Sequence, residues 1–255
     1  MGLNGKYRSL VNATLLNWAR ATGLALAGCL LASAAAGQCR QALALGLDVS
    51  GSVDADEYQL QLRGLAGALQ SETVRERLLS RLQAPVYLTV YEWSGPHNQS
   101  LILGWTAIDS AAALDRATAQ IIAANRARSS PTTALGAAMS AGLTLLADLP
   151  DCWQHTLDIS GDGRSNTGPL PQSIDTSGLP NITINGLVIG NGASNSTGLA
   201  DLDAYYRAYV IRGPGAFTEI SASHATFQEV MERKLLRELT SLAIGQTDLP
   251  PEPSL

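Results

Sequence analysis

Gln41-Ala42-Leu43-Ala44-Leu45-Gly46-Leu47-Asp48-Val49-Ser50-Gly51-Ser52-Val53-Asp54 is the stretch from which the rest of this chain is most easily read. Leu43, Leu45 and Leu47 alternate with Ala42, Ala44 and Gly46. That pattern predicts a strand buried on both faces, bulky on one side and small on the other, where a helix can approach closely. The run ends in Asp48, and Ser50 and Ser52 follow at alternate positions before a helix start. One carboxylate and two hydroxyls in a single loop are hard oxygen donors of the kind that suit Mg²⁺. In open α/β sheets, ligands gather outside the carboxyl ends of the strands, where this loop would lie. The same residues have a plainer use. Ser and Asp after a strand cap the next helix, and Asp54-x-x-Glu57 has the spacing of a capping box. A binding role therefore needs partners elsewhere in the chain.

The 255 residues are 45% hydrophobic, 15% charged and 5% aromatic, a globular composition with room for one domain or two small ones. Lys6, Arg8 and Arg20 precede a run from Ala21 to Ala36 that is apolar or small apart from Thr22, and Gly37 follows it. A basic lead, an apolar core and small residues at its end predict a secretory signal peptide over residues 1–36, cleaved after Ala36, and hence a periplasmic or secreted protein. A run this short and rich in Ala and Gly falls below a comfortable membrane span. Leu26-Ala27-Gly28-Cys29 also has the form of a lipoprotein cleavage box with a lipid on Cys29, although the chain stays apolar beyond it. Without residues 1–36, 14 basic groups face 22 acidic ones, a net charge of −8. No basic run remains, which argues against nucleic acid and anionic membrane surfaces as partners. Cys39 and Cys152 also remain, and two cysteines in an exported chain predict a disulfide.

Along the chain, periodicity predicts helices over 54–70 and 71–82, then a strand over 86–93, a turn at 94–98 and an antiparallel partner strand over 99–105. Helices are expected over 109–124 and 134–147, a strand over 155–160, and a long loop over the Pro-, Gly- and Ser-rich 164–180. A strand over 182–189, a helix over 199–209 and a strand over 216–220 follow. Thr226-x-x-Glu229 reads as a capping box opening a last helix to about residue 242, with Phe227, Val230, Met231, Leu235 and Leu239 inward. Residues 243–255 read as a Pro-rich tail. Strands alternating with helices predict a doubly wound α/β fold: a mostly parallel sheet with one antiparallel edge strand and helices on both faces.

On that topology two more segments reach the same sheet edge. Ser129-Ser-Pro-Thr132-Thr133 brings hydroxyls just before a helix, and Ser160-Gly-Asp162-Gly163 brings a carboxylate just after a strand. With Asp48, Ser50 and Ser52, these pieces make the chain resemble the von Willebrand factor A-type domain, whose metal-ion-dependent adhesion site has three such parts. Thr133 matches by its spacing to the helix that follows. The loop before it is Pro-Thr-Thr where the family has Gly-Gly-Thr, which leaves Thr132 as a rival ligand. Tyr91-Glu-Trp-Ser94, Asp158-Ile-Ser-Gly-Asp-Gly163, Asn185-Gly-Leu-Val-Ile-Gly190 and the segment from Tyr205 to Phe217 narrow the resemblance to a bacterial family of exported A-type domains, domain of unknown function 1194. It covers about residues 39–242.

The resemblance implies that Ser50, Ser52 and Thr133 touch a metal through oxygen, with Asp48 and Asp162 binding it directly or through water. Mg²⁺ is the expected ion, with Mn²⁺ or Ca²⁺ as alternatives, and a coordination position stays open for a carboxylate of a protein or peptide partner. Arg164 and Asn166 would rim the ion. Both carboxylates are expected to face solvent. The resemblance also makes the strands before Asp48 and Asp162 neighbours. Cys39 and Cys152, nine and ten residues upstream of these Asp, would then meet at the opposite edge and pair.

Other candidates carry less. Asp158 suits a hydrogen-bonded core carboxylate, and its calcium-loop spacing fails at Pro169. His97, His155 and His224 sit in separate segments with no ligand spacing. Gly190-Asn191-Gly192 lacks a full dinucleotide fingerprint. The functional reading is a metal-dependent binding module rather than an enzyme. The alternative is a metal-dependent hydrolase on the same Asp cluster, for which Ser160 and His155 are the only base or nucleophile candidates.

Overall fold

The computed structural model describes residues 39–179, 181–190 and 196–244. The expected signal peptide with Cys29, the pair Asn191-Gly192, and the tail beyond Ile244 lie outside these residues.

Six strands form one sheet: β1 (Gln41–Asp48), β2 (Val86–Trp93), β3 (Gln99–Ala107), β4 (His155–Gly161), β5 (Ile182–Ile189) and β6 (Thr218–Ser221). Their order is β3-β2-β1-β4-β5-β6, parallel throughout except for β3, which runs antiparallel along β2. The helices are α1 (Ala55–Gln70), α2 (Glu72–Leu79), α3 (Ala111–Ile122), α4 (Leu135–Ala147), α5 (Ser196–Tyr209) and α6 (Phe227–Ile244). The expected fold class is the one observed. The chain lays β1, β2 and β3 to one side and then returns to place β4 on the other flank of β1. This reversal between β1 and β4 is the topological switch point at which open α/β sheets form their ligand crevice.

The two faces of β1 divide as its alternation implies. Leu43, Leu45 and Leu47 pack with α1, α3 and α6, whereas Ala42 and Ala44 lie in a second cluster with Leu135, Met139 and Leu146 of α4. Gly46 leaves room for its β2 neighbour. A methyl group there would lie 2.7 Å from the Tyr91 ring, whose hydroxyl instead reaches across to donate to the Ala138 carbonyl at 2.8 Å.

Some element ends differ from expectation for local reasons. Thr226 does not cap the last helix. Ser223 caps a single 3-10 turn, His224–Thr226, and Thr226 closes the capping box before α6 begins at Phe227. The last strand starts at Thr218 because Gly213 and Gly215 hold left-handed backbone (φ 96° and 69°), so the chain is still turning at Ala216. The Phe217 amide then donates to the Asn185 side chain at 3.1 Å.

α6 also buries charge that periodicity overlooked. Lys234 and Glu238, one turn apart, face inward beside the apolar residues. Lys234 Nζ stands 2.7 Å from Asp158 Oδ2 and 2.6 Å from Glu238 Oε1, and Asn185 Nδ2 donates to Glu238 at 2.8 Å. Asp158 is thus a core carboxylate paired with a buried cation through Oδ2, while its Oδ1 is buried without a hydrogen bond. Burial raises its carboxyl above the ordinary range while Lys234 works against that rise.

Cys39 and Cys152 form a disulfide with Cα atoms 4.5 Å apart, inside the span a bridge requires. β1 and β4 pair Ala42 with His155 and Leu47 with Ser160. That constant offset equals the 113-residue separation of the two cysteines. The bridge therefore keeps the strand register three residues before the first paired rung, and it pins the two central strands at their amino ends. Asp48 faces the end of β4 at Gly161, so Asp162 lies one residue beyond it.

Two outcomes follow from this core. Protein beginning after Ala36 should show no free thiol when denatured without reductant, and Cys152→Ser should lose about 2–5 kcal/mol in denaturant unfolding; two titratable thiols would contradict the bridge. Lys234→Met should lose about 3–5 kcal/mol at pH 7 by leaving the buried Asp158 carboxylate without its cation. That carboxyl would then bind its proton more tightly folded than unfolded. Stability from such a group is present at low pH and lost as pH rises, so the variant should unfold more readily at pH 8 than at pH 5. A pH-independent deficit would argue against the carboxylate as its cause.

Candidate functional site

The loop after β1 is built before any ligand is considered. The Asp48 carbonyl accepts from Gln61 Nε2 of α1 at 3.1 Å, and the Val49 amide donates to the Trp93 carbonyl at 2.8 Å. Asp54 caps α1 through the expected capping box, its backbone amide donating to Glu57 and the Glu57 amide donating back to its side chain. Arg126 then clamps the loop from outside. Its guanidinium donates to the Val49, Ser50 and Val53 carbonyls at 2.6, 3.1 and 2.9 Å. Sequence reading missed Arg126, because a lone Arg between helices carries no motif.

Tyr91-Glu-Trp-Ser94 has a concrete task here: it holds the segment that delivers Thr133. Glu92 accepts from the Ala127 amide at 2.6 Å and from the Tyr58 hydroxyl at 3.0 Å. Ser94 accepts from Ser130 N through its hydroxyl (2.9 Å) and from Ala134 N through its carbonyl (2.8 Å). From the other side, Asn166 accepts from the Thr133 amide at 3.0 Å and donates its own amide to the Thr133 carbonyl at 2.9 Å.

The five expected ligands meet at the switch point. Thr133 Oγ1 lies 3.3 Å from Ser50 Oγ, Ser50 Oγ 3.2 Å from Ser52 Oγ, and Ser52 donates to Asp162 Oδ1 at 2.7 Å. Asp48 lies beneath them, its Oδ1 accepting from the Ser50 amide at 2.7 Å. Thr132 turns away and bonds Ser130 at 2.9 Å. Arg164 donates to the Asp201 carbonyl at 3.2 Å and lies over the Tyr205 ring, on the α5 side of Asp162.

One expectation fails. Asp48 does not face solvent; it is 0% exposed, whereas Asp162 is partly open. The small residues of β1 let α4 close over that face, and the carboxylate at its end is sealed below the hydroxyls. Burial, followed by the charge of Asp162, pushes the Asp48 carboxyl up to about 7. Burial also raises Asp162, opposed by its bond from Ser52. Asp48 Oδ2 is buried with no protein hydrogen-bond partner. A buried carboxylate in that condition is costly unless a cation meets it.

The donor set fits a hard dication. It consists of oxygen, with two carboxylates to balance charge and three neutral hydroxyls to fill positions. Among the described residues, no three His, Cys, Asp or Glu side chains converge at metal-ligand spacing, so an ion here would rely on the hydroxyls. His224 reaches this edge unforeseen, buried with Nδ1 3.2 Å from Glu57 Oε1. His155 sits at the far end of β4, 2.9 Å from the Leu149 carbonyl, and His97 is exposed.

Solved structures with the same fold carry similar architecture at low identity. Proximal thread matrix protein 1 from the mussel byssus, in a form with a zinc-occupied MIDAS motif, matches with TM-score 0.54 and 16% identity over 81% of this chain and 48% of its own. The pilus adhesin SpaC of Lactobacillus rhamnosus GG, in its open conformation, matches with TM-score 0.52 and 12% identity over 80% of this chain and 30% of its own. The ArnB paralog VWA2 of Sulfolobus acidocaldarius gives TM-score 0.51 and 12% identity over 77% and 45%. The chain thus spans half or less of the length of these proteins, and what it shares with them is the fold. None of the curated proteins compared with the chain matches it. Residues 38–243 match the family described as protein of unknown function (DUF1194), and with the sheet order and helices described above the chain belongs to that family and has the von Willebrand factor A-type fold.

Proposed function

We propose that this chain is an exported, metal-dependent binding module. Asp48, Ser50, Ser52, Thr133 and Asp162 would hold one divalent cation, Mg²⁺ in the first instance, and a protein or peptide partner would bring a carboxylate to it. The observation that carries this reading is the buried, unpartnered Oδ2 of Asp48 at the foot of a cradle of hydroxyls. When bound, the cation supplies an electrophilic centre that attracts a partner's anionic oxygen. The protein's own part is to fix the donors: Arg126 and Gln61 hold the Asp48 loop, and Asn166 and Ser94 hold Thr133. Arg164 and Asn166 would border the ion on the α5 and α4 sides. A zinc-occupied MIDAS motif in one structural neighbour and the adhesin role of another lend support. Neither Ser160, 1% exposed within β4, nor His155 favours the hydrolase alternative.

Export rests on residues 1–36 as a cleaved leader, with 39–242 as the functional domain. The Cys39–Cys152 bridge suits an oxidising compartment. Among the described residues no helix is long and apolar enough to cross a membrane.

Purified protein should bind one Mg²⁺ or Mn²⁺ by calorimetry. At a hundredfold excess over Kd the ion should add about 2.7 kcal/mol of stability. Asp48→Ala and Asp162→Ala should each abolish that gain. Metal-free Asp48→Ala should keep a melting temperature close to wild type, because it removes a buried carboxylate that lacks a full set of partners. Wild-type metal affinity in both variants would sink the site. Intact mass of protein recovered outside the cytoplasm should begin near Gly37, and retention of Met1 or a lipid on Cys29 would overturn the leader assignment.

A further inference from the structure

We infer that Lys234 of α6 and Asp158 of β4 are the two ends of an intramolecular amide bond that the chain forms by itself, with Glu238 carrying a proton. The site is separate from the metal cradle and does not depend on it. Lys234 Nζ stands 2.7 Å from Asp158 Oδ2 and 2.6 Å from Glu238 Oε1, so one amine touches both the group it attacks and a base. Asn185 Nδ2 donates to the same Glu238 oxygen at 2.8 Å and holds it in place. Lys234 and Asp158 are 0% exposed, Glu238 and Asn185 2%, and the centre of the Phe217 ring lies 5.3 Å from Nζ. One ammonium is thus enclosed with two carboxylates, and Asp158 Oδ1 has no hydrogen bond. Keeping such a set of charges out of water is costly. The ion pair in the structure is the state before the bond forms.

The reaction is a condensation. Nζ passes one proton to Oδ2, which leaves a neutral amine beside a carboxylic acid. The amine attacks Asp158 Cγ, Glu238 takes its second proton, and that proton returns to Oδ2. The Nζ–Cγ bond forms, the Cγ–Oδ2 bond breaks, and Oδ2 departs as water with both protons. Oδ1 stays as the carbonyl oxygen of the amide, and two of the enclosed charges are gone. No oxidant, cofactor or other reactant is consumed. The two carboxylates raise the pKa of the Lys234 ammonium, so the amine becomes neutral only by passing a proton within the set. Burial raises the Asp158 carboxyl and makes it a better acceptor for that proton. Well-oriented partners reach effective concentrations of about 10⁵–10⁸ M, which in a site closed to solvent favours a condensation that bulk water opposes. A cavity of about 60 Å³, lined by Thr156, Asn185 and Glu238 among others, adjoins the set and has room for the departing water. The bond ties the last helix to a central strand, as the disulfide ties that strand to β1.

Mass spectrometry of the purified protein, reduced and denatured, is the test. Wild type should be lighter by one water than the sequence from its own amino terminus. A tryptic digest should yield residues 129–164 joined to residues 234–237, because an acylated Lys234 no longer directs cleavage. Lys234→Arg and Glu238→Gln should both show the full mass. Wild type at full mass, with Lys234 free, overturns the inference whatever the variants do. So does a loss of water without the joined peptides, which marks a succinimide at an Asp-Gly bond such as Asp162-Gly163. Where Glu238→Gln does not fold, Asn185→Ala takes its place: it loosens Glu238 without removing it and should give a mixture of linked and full-mass chains. Complete linkage in whichever of these two variants folds overturns the role given to Glu238.

Discussion

The parallel pairing of β1 with β4 is the contact on which the other features rest. These strands are distant in sequence, so forming them closes a long loop before any local interaction rewards it. Two features hold the pair. The disulfide follows the strand offset at the amino ends. At the carboxyl ends, the Ser52–Asp162 bond links the loops that leave the two strands. The sheet reverses its direction of winding here, where open α/β sheets leave a crevice, and Asp48 and Asp162 both lie at that point.

The molecule treats its two buried aspartates in opposite ways. Asp158 has an interior cation, with Lys234 delivered by α6 and a second carboxylate and an amide completing the network. That network is buried and contains its own cation. Asp48 is stabilised by the Ser50 amide and hydroxyl and by the Asp162 amide, but has a like-charged neighbour in Asp162 and no cation beside it among the described residues. It is equally buried and far less compensated. The proposed cation would supply at Asp48 the positive charge that Lys234 supplies at Asp158. The hydroxyls around it are the ligands a hard ion accepts without adding further negative charge.

The scaffold around the crevice explains why the family motifs extend beyond ligands. Tyr91 fills the space over Gly46, and Glu92 and Ser94 fasten the segment that carries Thr133. Asn166, expected at the rim, bonds both backbone groups of Thr133. Motif residues outside the expected ligand set therefore decide where an expected ligand stands, which is the usual relation between a site and its supports.

Much of this was legible without coordinates. Alternation in residues 41–48 encodes a strand with one small face, because side chains on a strand point to opposite sides in strict turn. The spacing of Asp48, Ser50 and Ser52, the capping box at Asp54 and the helix faces lined by Leu and Met are local properties, so neighbours in sequence suffice to predict them. Whether Thr132 or Thr133 faces Ser50 depends on a single peptide's orientation, and Asn166 and Ser94, far apart in the chain, set it. Lys234 inside the core, Arg126 on the loop and Tyr206 beneath the site look like ordinary surface or core residues to any periodic pattern. The burial of Asp48 was misread because an aspartate after a strand is normally solvated. Trp93 and Tyr206, brought beside it from other elements, help to seal it, since the dielectric around a charge is set by everything folded over it and not by the residues beside it in sequence.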